Sequence, residues 1–209
     1  MRELLENAAQ RAITYLEGLD RRSVAPPPEA VDQLSILEEP LPEKETPPEQ
    51  VLKLLDEVGS PATMAMAGPR FFGFVIGGSL PVTVATNWLS TAWDQNTGLY
   101  HPTPGTSRIE QVALRWLIQL FGLPPATGGA FVTGATMANF SALAAARHAV
   151  LERAGWNVEA DGLFGAPPIT VIVGAEAHPT LFKSLGLLGL GRNRLIRVPV
   201  DGQGRMRAD

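Results

Sequence analysis

The run Ala130-Phe131-Val132-Thr133-Gly134-Ala135-Thr136, with the alanine-rich stretch Met137 to Glu152 behind it, sets the frame for the whole chain. Residues 130–133 read as a short apolar strand, 134–136 as a tight turn and 137–152 as a helix. The alternation recurs downstream. Ile169-Thr170-Val171-Ile172-Val173-Gly174 is β-branched and apolar, His178 to Leu188 has helical spacing, and Arg194 to Val200 reads as a third strand. Strand, helix, strand, helix, strand predicts an α/β fold with a mainly parallel sheet covered by helices. Continuous apolar strands suit burial on both faces.

Upstream, the pattern is helical. Leu4, Leu5, Ala8, Ala9, Ala12, Ile13 and Leu16 predict an amphipathic helix over residues 3–19. Seven prolines between Ser23 and Pro48 predict an extended connector that is neither helix nor central strand. A helix on such a tether can dock on another subunit or fold back on its own domain, and the sequence leaves both open. Pro48 to Val58 and Pro81 to Trp93 are further helices, the latter with proline in the first turn. Ser107 with Glu110 makes a capping box for a helix running to Phe121, stopped by Gly122 and Pro124. Phe71-Phe72-Gly73-Phe74-Val75-Ile76-Gly77-Gly78 is either a buried strand, the more common solution, or a loop lining a pocket.

Composition removes several classes of function. The chain has 209 residues, 45% hydrophobic and 18% charged, an ordinary globular balance. Seventeen Lys and Arg against 21 Asp and Glu give a net charge of -4, which argues against nucleic acid as a partner. Cys is absent, so disulfides, thiolate metal sites and a cysteine nucleophile are excluded. Three histidines, His101, His148 and His178, are too few for a histidine zinc cluster, and no metal is expected. No stretch reaches the roughly 20 apolar residues of a membrane span. The first twenty residues carry Glu3, Glu6, Glu17 and Asp20 and no apolar core of a leader peptide. The expectation is a soluble, cytoplasmic protein.

In open α/β sheets ligands bind at the carboxyl ends of strands. Thr133-Gly134-Ala135-Thr136 is one such end. Its backbone N–H groups and the helix dipole favour an anion, and the small residues let a phosphate approach. The same turn also reads as a plain strand-to-helix connection with Thr136 as N-cap. Ala175-Glu176-Ala177-His178 is the second end. A histidine there can stack on a ring or move protons, or simply cap the next helix. His148 reads as structural or surface. Gly186, Gly189 and Gly191 follow a helix, so they read as a helix stop and not as a dinucleotide fingerprint. There is no P-loop and no hydrolase elbow.

Four pieces in order, Pro69-Arg70-Phe71-Phe72-Gly73-Phe74, Thr103-Pro104-Gly105-Thr106 with Glu110, Gly134 to Asn139 running into Ala142 to Arg147, and Ala177-His178, carry a resemblance. From about Pro69 onward the chain resembles the pyridoxal-phosphate-dependent group II amino-acid decarboxylases, which include aromatic amino-acid, glutamate and diaminobutyrate decarboxylases. The resemblance implies the aspartate-aminotransferase-like fold (fold type I of pyridoxal-phosphate enzymes) and decarboxylation of an L-amino acid. It implies that Gly134, Ala135 and Thr136 hold the cofactor phosphate. His178 would stack on the pyridine ring and assist catalysis. Phe74, Val75 and Ile76 would line the substrate pocket, often across a homodimer interface, and their apolar character would favour a hydrophobic or aromatic substrate. Residues 1–68 would form an arm wrapping the partner subunit, and 69–209 the first part of the cofactor-binding large domain.

Met137, Gly68 and Pro179 depart from the family's usual Glu, His and Ser. These departures bear on substrate identity more than on the cofactor. The family also needs a lysine for the Schiff base and an aspartate on the pyridine nitrogen, both later in its pattern than Asp209. The lysines present, Lys44, Lys53 and Lys183, match neither role. The chain is therefore expected to be the N-terminal portion of such an enzyme, inactive in isolation. An aminotransferase or carbon–carbon lyase of the same fold, and a non-catalytic partner-binding module, are the alternatives.

Overall fold

The computed structural model describes residues 1–208. The chain packs as two compact units, Met1–Asn96 and Thr97–Asp209. This division by packing falls later in the chain than the 68/69 boundary read from sequence.

The first unit is helical: α1 (Arg2–Glu17), α2 (Pro28–Asp32), a 3-10 turn (Gln33–Leu37), α3 (Pro48–Leu54) and α4 (Pro81–Trp93). From α3 the chain runs through a π-type turn (Leu55–Gly59) into a 3-10 turn (Ser60–Ala62). Helix α1 folds back on its own unit, using polar side chains. Arg11 Nη1 lies 2.6 Å from Asp56 Oδ2, and Tyr15 Oη 2.8 Å from Thr63 Oγ1. Arg22 Nη2 donates to the Ser60 carbonyl at 2.7 Å, while its guanidinium stacks 4.5 Å above the Tyr15 ring. Leu19, Ala30, Val58 and Ala65 are the buried apolar residues. Leu5 is nevertheless 63% exposed, so part of the apolar stripe of α1 is uncovered.

Two expectations for this unit are corrected. The proline connector does contain helix, because Pro28 sits in the first turn of α2, where its missing N–H is not needed. The segment 68–80 is a loop and not a buried strand. Phe72 is 92% exposed and Phe74 84%, and Phe74 and Val75 both take left-handed backbone angles, φ +56° and +55°. Consecutive left-handed residues turn the chain out of any ladder, and for β-branched Val75 the conformation is strained.

The second unit begins with α5 (Pro104–Leu120) and α6 (Ala135–Arg153), followed by the short α7 (Val158–Asp161). The β–α–β unit β1 (Ile172–Gly174), α8 (Pro179–Leu187), β2 (Ile196–Val198) completes it. The strands pair in parallel, Ile172 opposite Ile196 and Gly174 opposite Val198. That is the predicted parallel arrangement, with strands shorter than their apolar runs. Leu151 on α6, Val173 on β1, and Leu185 with Leu188 at α8 are buried and form the core.

Here too the structure corrects the sequence reading. Residues 130–133 are not a strand: they are exposed and make no backbone hydrogen bond among the described residues. A strand exists only as one side of a ladder. Helix α5 starts at Pro104, so Ser107 lies inside it and no Ser107–Glu110 capping box forms. Proline suits the first helical position, and the buried Thr103 before it donates its hydroxyl to the Leu99 carbonyl at 2.7 Å. Gly122, at φ +63°, ends α5 as expected, and Gly189, at φ +74°, ends α8.

Candidate functional site

The turn before α6 has an extended Gly134 as N-cap, with no side-chain cap. An α-helix leaves its first N–H groups without intrahelical partners. Here the amides of Ala135, Thr136 and Met137 have no other partner among the described residues, and Ala138 is the first to bond, to the Gly134 carbonyl at 3.0 Å. A Cβ built on Gly134 would meet nothing within 4 Å, so the approach to these amides is open. Thr136 does not cap the helix, because it lies inside the first turn. Three free donors at the positive end of a 19-residue helix suit an anion such as a phosphate ester.

His178 is the N-cap of α8. Its Nδ1 accepts from the Thr180 backbone N–H at 3.3 Å and lies 2.9 Å from Thr180 Oγ1. The imidazole is exposed, and its Nε2 has no partner among the described residues. The helix-capping role is therefore real, and it leaves one ring nitrogen free for a ligand.

The structure joins the two turns through α6 and α8. Asn139 Nδ2 on α6 donates to Thr180 Oγ1 at 3.0 Å. The Oγ of fully buried Ser184 on α8 lies 3.0 Å from the Thr136 carbonyl and 2.9 Å from the Thr180 carbonyl, so its one proton is shared between them. Farther along, Arg147 Nη1 donates to the Leu188 carbonyl at 3.0 Å, while its buried Nε has no partner among the described residues. Helix α8 is thus pinned along its length to the helix that carries the open amides. Leu185, fully buried between the bonded ends, supplies the apolar part of that contact.

Of the residues named from sequence, Gly134, Ala135, Thr136 and His178 lie together in the second unit, at the N-terminal ends of these two helices. Phe74, Val75 and Ile76 belong to the first unit, on the strained, exposed loop. Thr180 and Ser184 went unremarked in sequence. A threonine two residues after a helix-capping histidine is the signal that finds Thr180. Ser184 is legible only from its burial. His148 is a surface group on α6, 3.6 Å from Glu159 Oε1 and 3.9 Å from Glu152 Oε2. Among the described residues no group of acidic or histidine side chains could hold a metal, and no helix is long and apolar enough to cross a membrane.

Both the sequence and the fold have counterparts among known proteins. An aromatic-L-amino-acid decarboxylase of Bacillus atrophaeus is 25% identical over 201 residues, 96% of this chain and 40% of the relative. An L-2,4-diaminobutyrate decarboxylase of Rhizobium meliloti (strain 1021) is 29% identical over 174 residues, 80% of this chain and 32% of the relative. The chain thus spans well under half the length of these relatives. In fold, the crystal structure of Oryza sativa TDC with PLP and tryptamine superposes with a TM-score of 0.83 at 24% identity, over 97% of this chain and 42% of that one. The family profile described as the pyridoxal-dependent decarboxylase conserved domain matches residues 28–209, and the chain belongs to that family.

Proposed function

We propose that this chain supplies the cofactor-phosphate cradle and the ring-facing histidine of a pyridoxal-phosphate-dependent L-amino-acid decarboxylase. The observation that carries the reading is the set of three amides at 135–137, without partners among the described residues, on a helix that is hydrogen-bonded to α8 beside the cap that holds His178. The residues fit the group: Gly134, Ala135 and Thr136 would hold the phosphate, with the Thr136 hydroxyl as a further donor. Pyridoxal phosphate, when bound, supplies an electron sink for the charge left by loss of a carboxylate. The chain's own contribution is placement. The helix dipole and amides fix one end of the cofactor, and the His178 imidazole, anchored through Nδ1, offers its flat face and its Nε2. Nε2 is the atom at which this chain can hold or move a proton.

Phe74, Val75 and Ile76 are taken as part of the substrate pocket. Two successive non-glycine residues in the left-handed region at a solvent-exposed tip fit a functional loop, since backbone strain of this kind clusters at ligand-binding and active-site segments. Their apolar character favours a hydrophobic or aromatic amino acid. Residues 1–68 are read as an arm wrapping a second copy of the chain in a homodimer, and 69–209 as the first part of the cofactor-binding domain. Support comes from the apolar side chains that residues 1–68 leave open, among them Leu5, Ile36, Leu41 and Leu55. Such a dimer would be cytoplasmic.

In the complete enzyme, Thr136→Ala should weaken cofactor retention and His178→Ala should cut turnover sharply, with carbon dioxide as the product released by the unaltered enzyme. A His178→Ala enzyme working at the unaltered rate refutes the catalytic assignment. Keto acid in place of carbon dioxide refutes decarboxylation.

A further inference from the structure

The hydrogen bonds around His178 have a direction, and the direction follows from which atoms can only donate. Asn139 Nδ2 carries protons and no lone pair to offer, so at 3.0 Å it fills one lone pair of Thr180 Oγ1. The Thr180 backbone N–H is equally donor-only and is aimed at His178 Nδ1 from 3.3 Å. Nδ1 must therefore present a lone pair. The Thr180 hydroxyl has one proton and, with Asn139 already donating to its oxygen, completes the chain by donating to Nδ1 across 2.9 Å, sharing that nitrogen's one lone pair with the longer bond from the backbone N–H. In a neutral imidazole with Nδ1 accepting, the ring proton sits on Nε2.

We propose that Asn139 and Thr180 are positioning residues that fix His178 in the Nε2–H tautomer and prevent its ring from flipping. The free edge of the ring is then a hydrogen-bond donor. Asn139 sits one turn into α6, the helix whose first amides form the phosphate cradle, so one helix sets both the anion site and the protonation pattern of the histidine beside it. The inference rests on the reading that His178 faces the cofactor, but it concerns the chain's own atoms and is testable without cofactor.

The test is a long-range proton–nitrogen correlation spectrum of the full chain labelled at histidine, recorded at about pH 8.5, where a histidine side chain is neutral. The three histidines are separated by comparison with His178→Ala. His178 should show the Nε2–H pattern in excess over Nδ1–H. Thr180→Val keeps the side-chain shape and removes the hydroxyl, and should lower the ratio of Nε2–H to Nδ1–H about five-fold, the equivalent of ~1 kcal/mol. Thr180→Ser should restore the original ratio. Asn139→Asp replaces the donor by an acceptor that competes for the hydroxyl proton, and should move the ratio in the same direction as Thr180→Val. A wild-type His178 protonated on Nδ1, or a ratio unmoved in both folded Thr180→Val and Asn139→Asp, overturns the proposal. If Thr180→Val does not fold, Asn139→Asp alone decides it against Thr180→Ser. Equilibrium dialysis of the same chain with pyridoxamine 5'-phosphate is read separately. No binding beside the expected tautomer pattern overturns the cofactor reading and leaves the ring-holding assignment in place.

Discussion

Replacing Ala135 by proline tests the phosphate cradle with little disturbance elsewhere. Ala135 is the first residue of α6, the one helical position where proline is favoured, and its N–H has no intrahelical partner to lose. Gly134 before it is extended, at φ 164° and ψ 176°, a conformation compatible with a following proline. The helix should therefore survive, and fixing φ at its start should not lower stability. The variant deletes one of the three free donors. A hydrogen bond to a charged group contributes roughly 1.5–3 kcal/mol, so affinity for a phosphate ester should fall roughly 10- to 150-fold. Pyridoxamine 5'-phosphate is the suitable probe, because its amine forms no imine with Lys44, Lys53 or Lys183. Binding would be followed by equilibrium dialysis and helix content by circular dichroism. Unchanged affinity with unchanged helicity would refute the assignment of these amides to the phosphate. A loss of helicity would show instead that the first turn of α6 is held differently.

Three further outcomes follow from the packing and electrostatics. Leu185→Ala empties a fully buried position on α8 and should cost about 2–5 kcal/mol in urea unfolding, a loss below about 1 kcal/mol contradicting its place in the core. Gly189→Ala puts a Cβ 2.9 Å from Leu163 Cδ1 at φ +74°, and should lower stability by about 1 kcal/mol or more in the same assay. Asp201 has its carboxyl held below the ordinary value of 3.8, chiefly by the hydrogen bond from the Arg205 side chain and then by the backbone N–H groups of Arg205 and Gln203. A depressed folded value means that the turn is stabilised above pH 3.8 and loses that stabilisation as pH falls through the folded value. The Gln203 and Arg205 amide resonances should titrate in that acid range in the wild type and stay flat in Asp201→Asn.

The helices were readable from sequence wherever one signal sufficed. Proline in the first turn and 3.6-residue spacing placed α4 over Pro81–Trp93 without error, and alanine content with the turn before it placed α6. The family resemblance was read from motifs of the same local kind, since a tight turn of small residues and a histidine at a helix start are each a few consecutive residues. Strands were different. Residues 130–133 have strand composition, but a strand needs partners supplied from elsewhere in the fold, and composition cannot name them. The loop at 71–78 shows the same limit. Its apolar content reads as burial, while the left-handed angles at Phe74 and Val75 keep those side chains in solvent.

Local sequence thus determined most of the helices and the residue types that the two turns present, because helix propensity, capping and small-residue turns act over a few residues. Tertiary structure alone decided that Asn139 meets Thr180 and that Ser184 meets Thr136, pairs 41 and 48 residues apart. Such bonds depend on how α8 lies along α6 once Leu185 is buried, and no short-range pattern records that geometry.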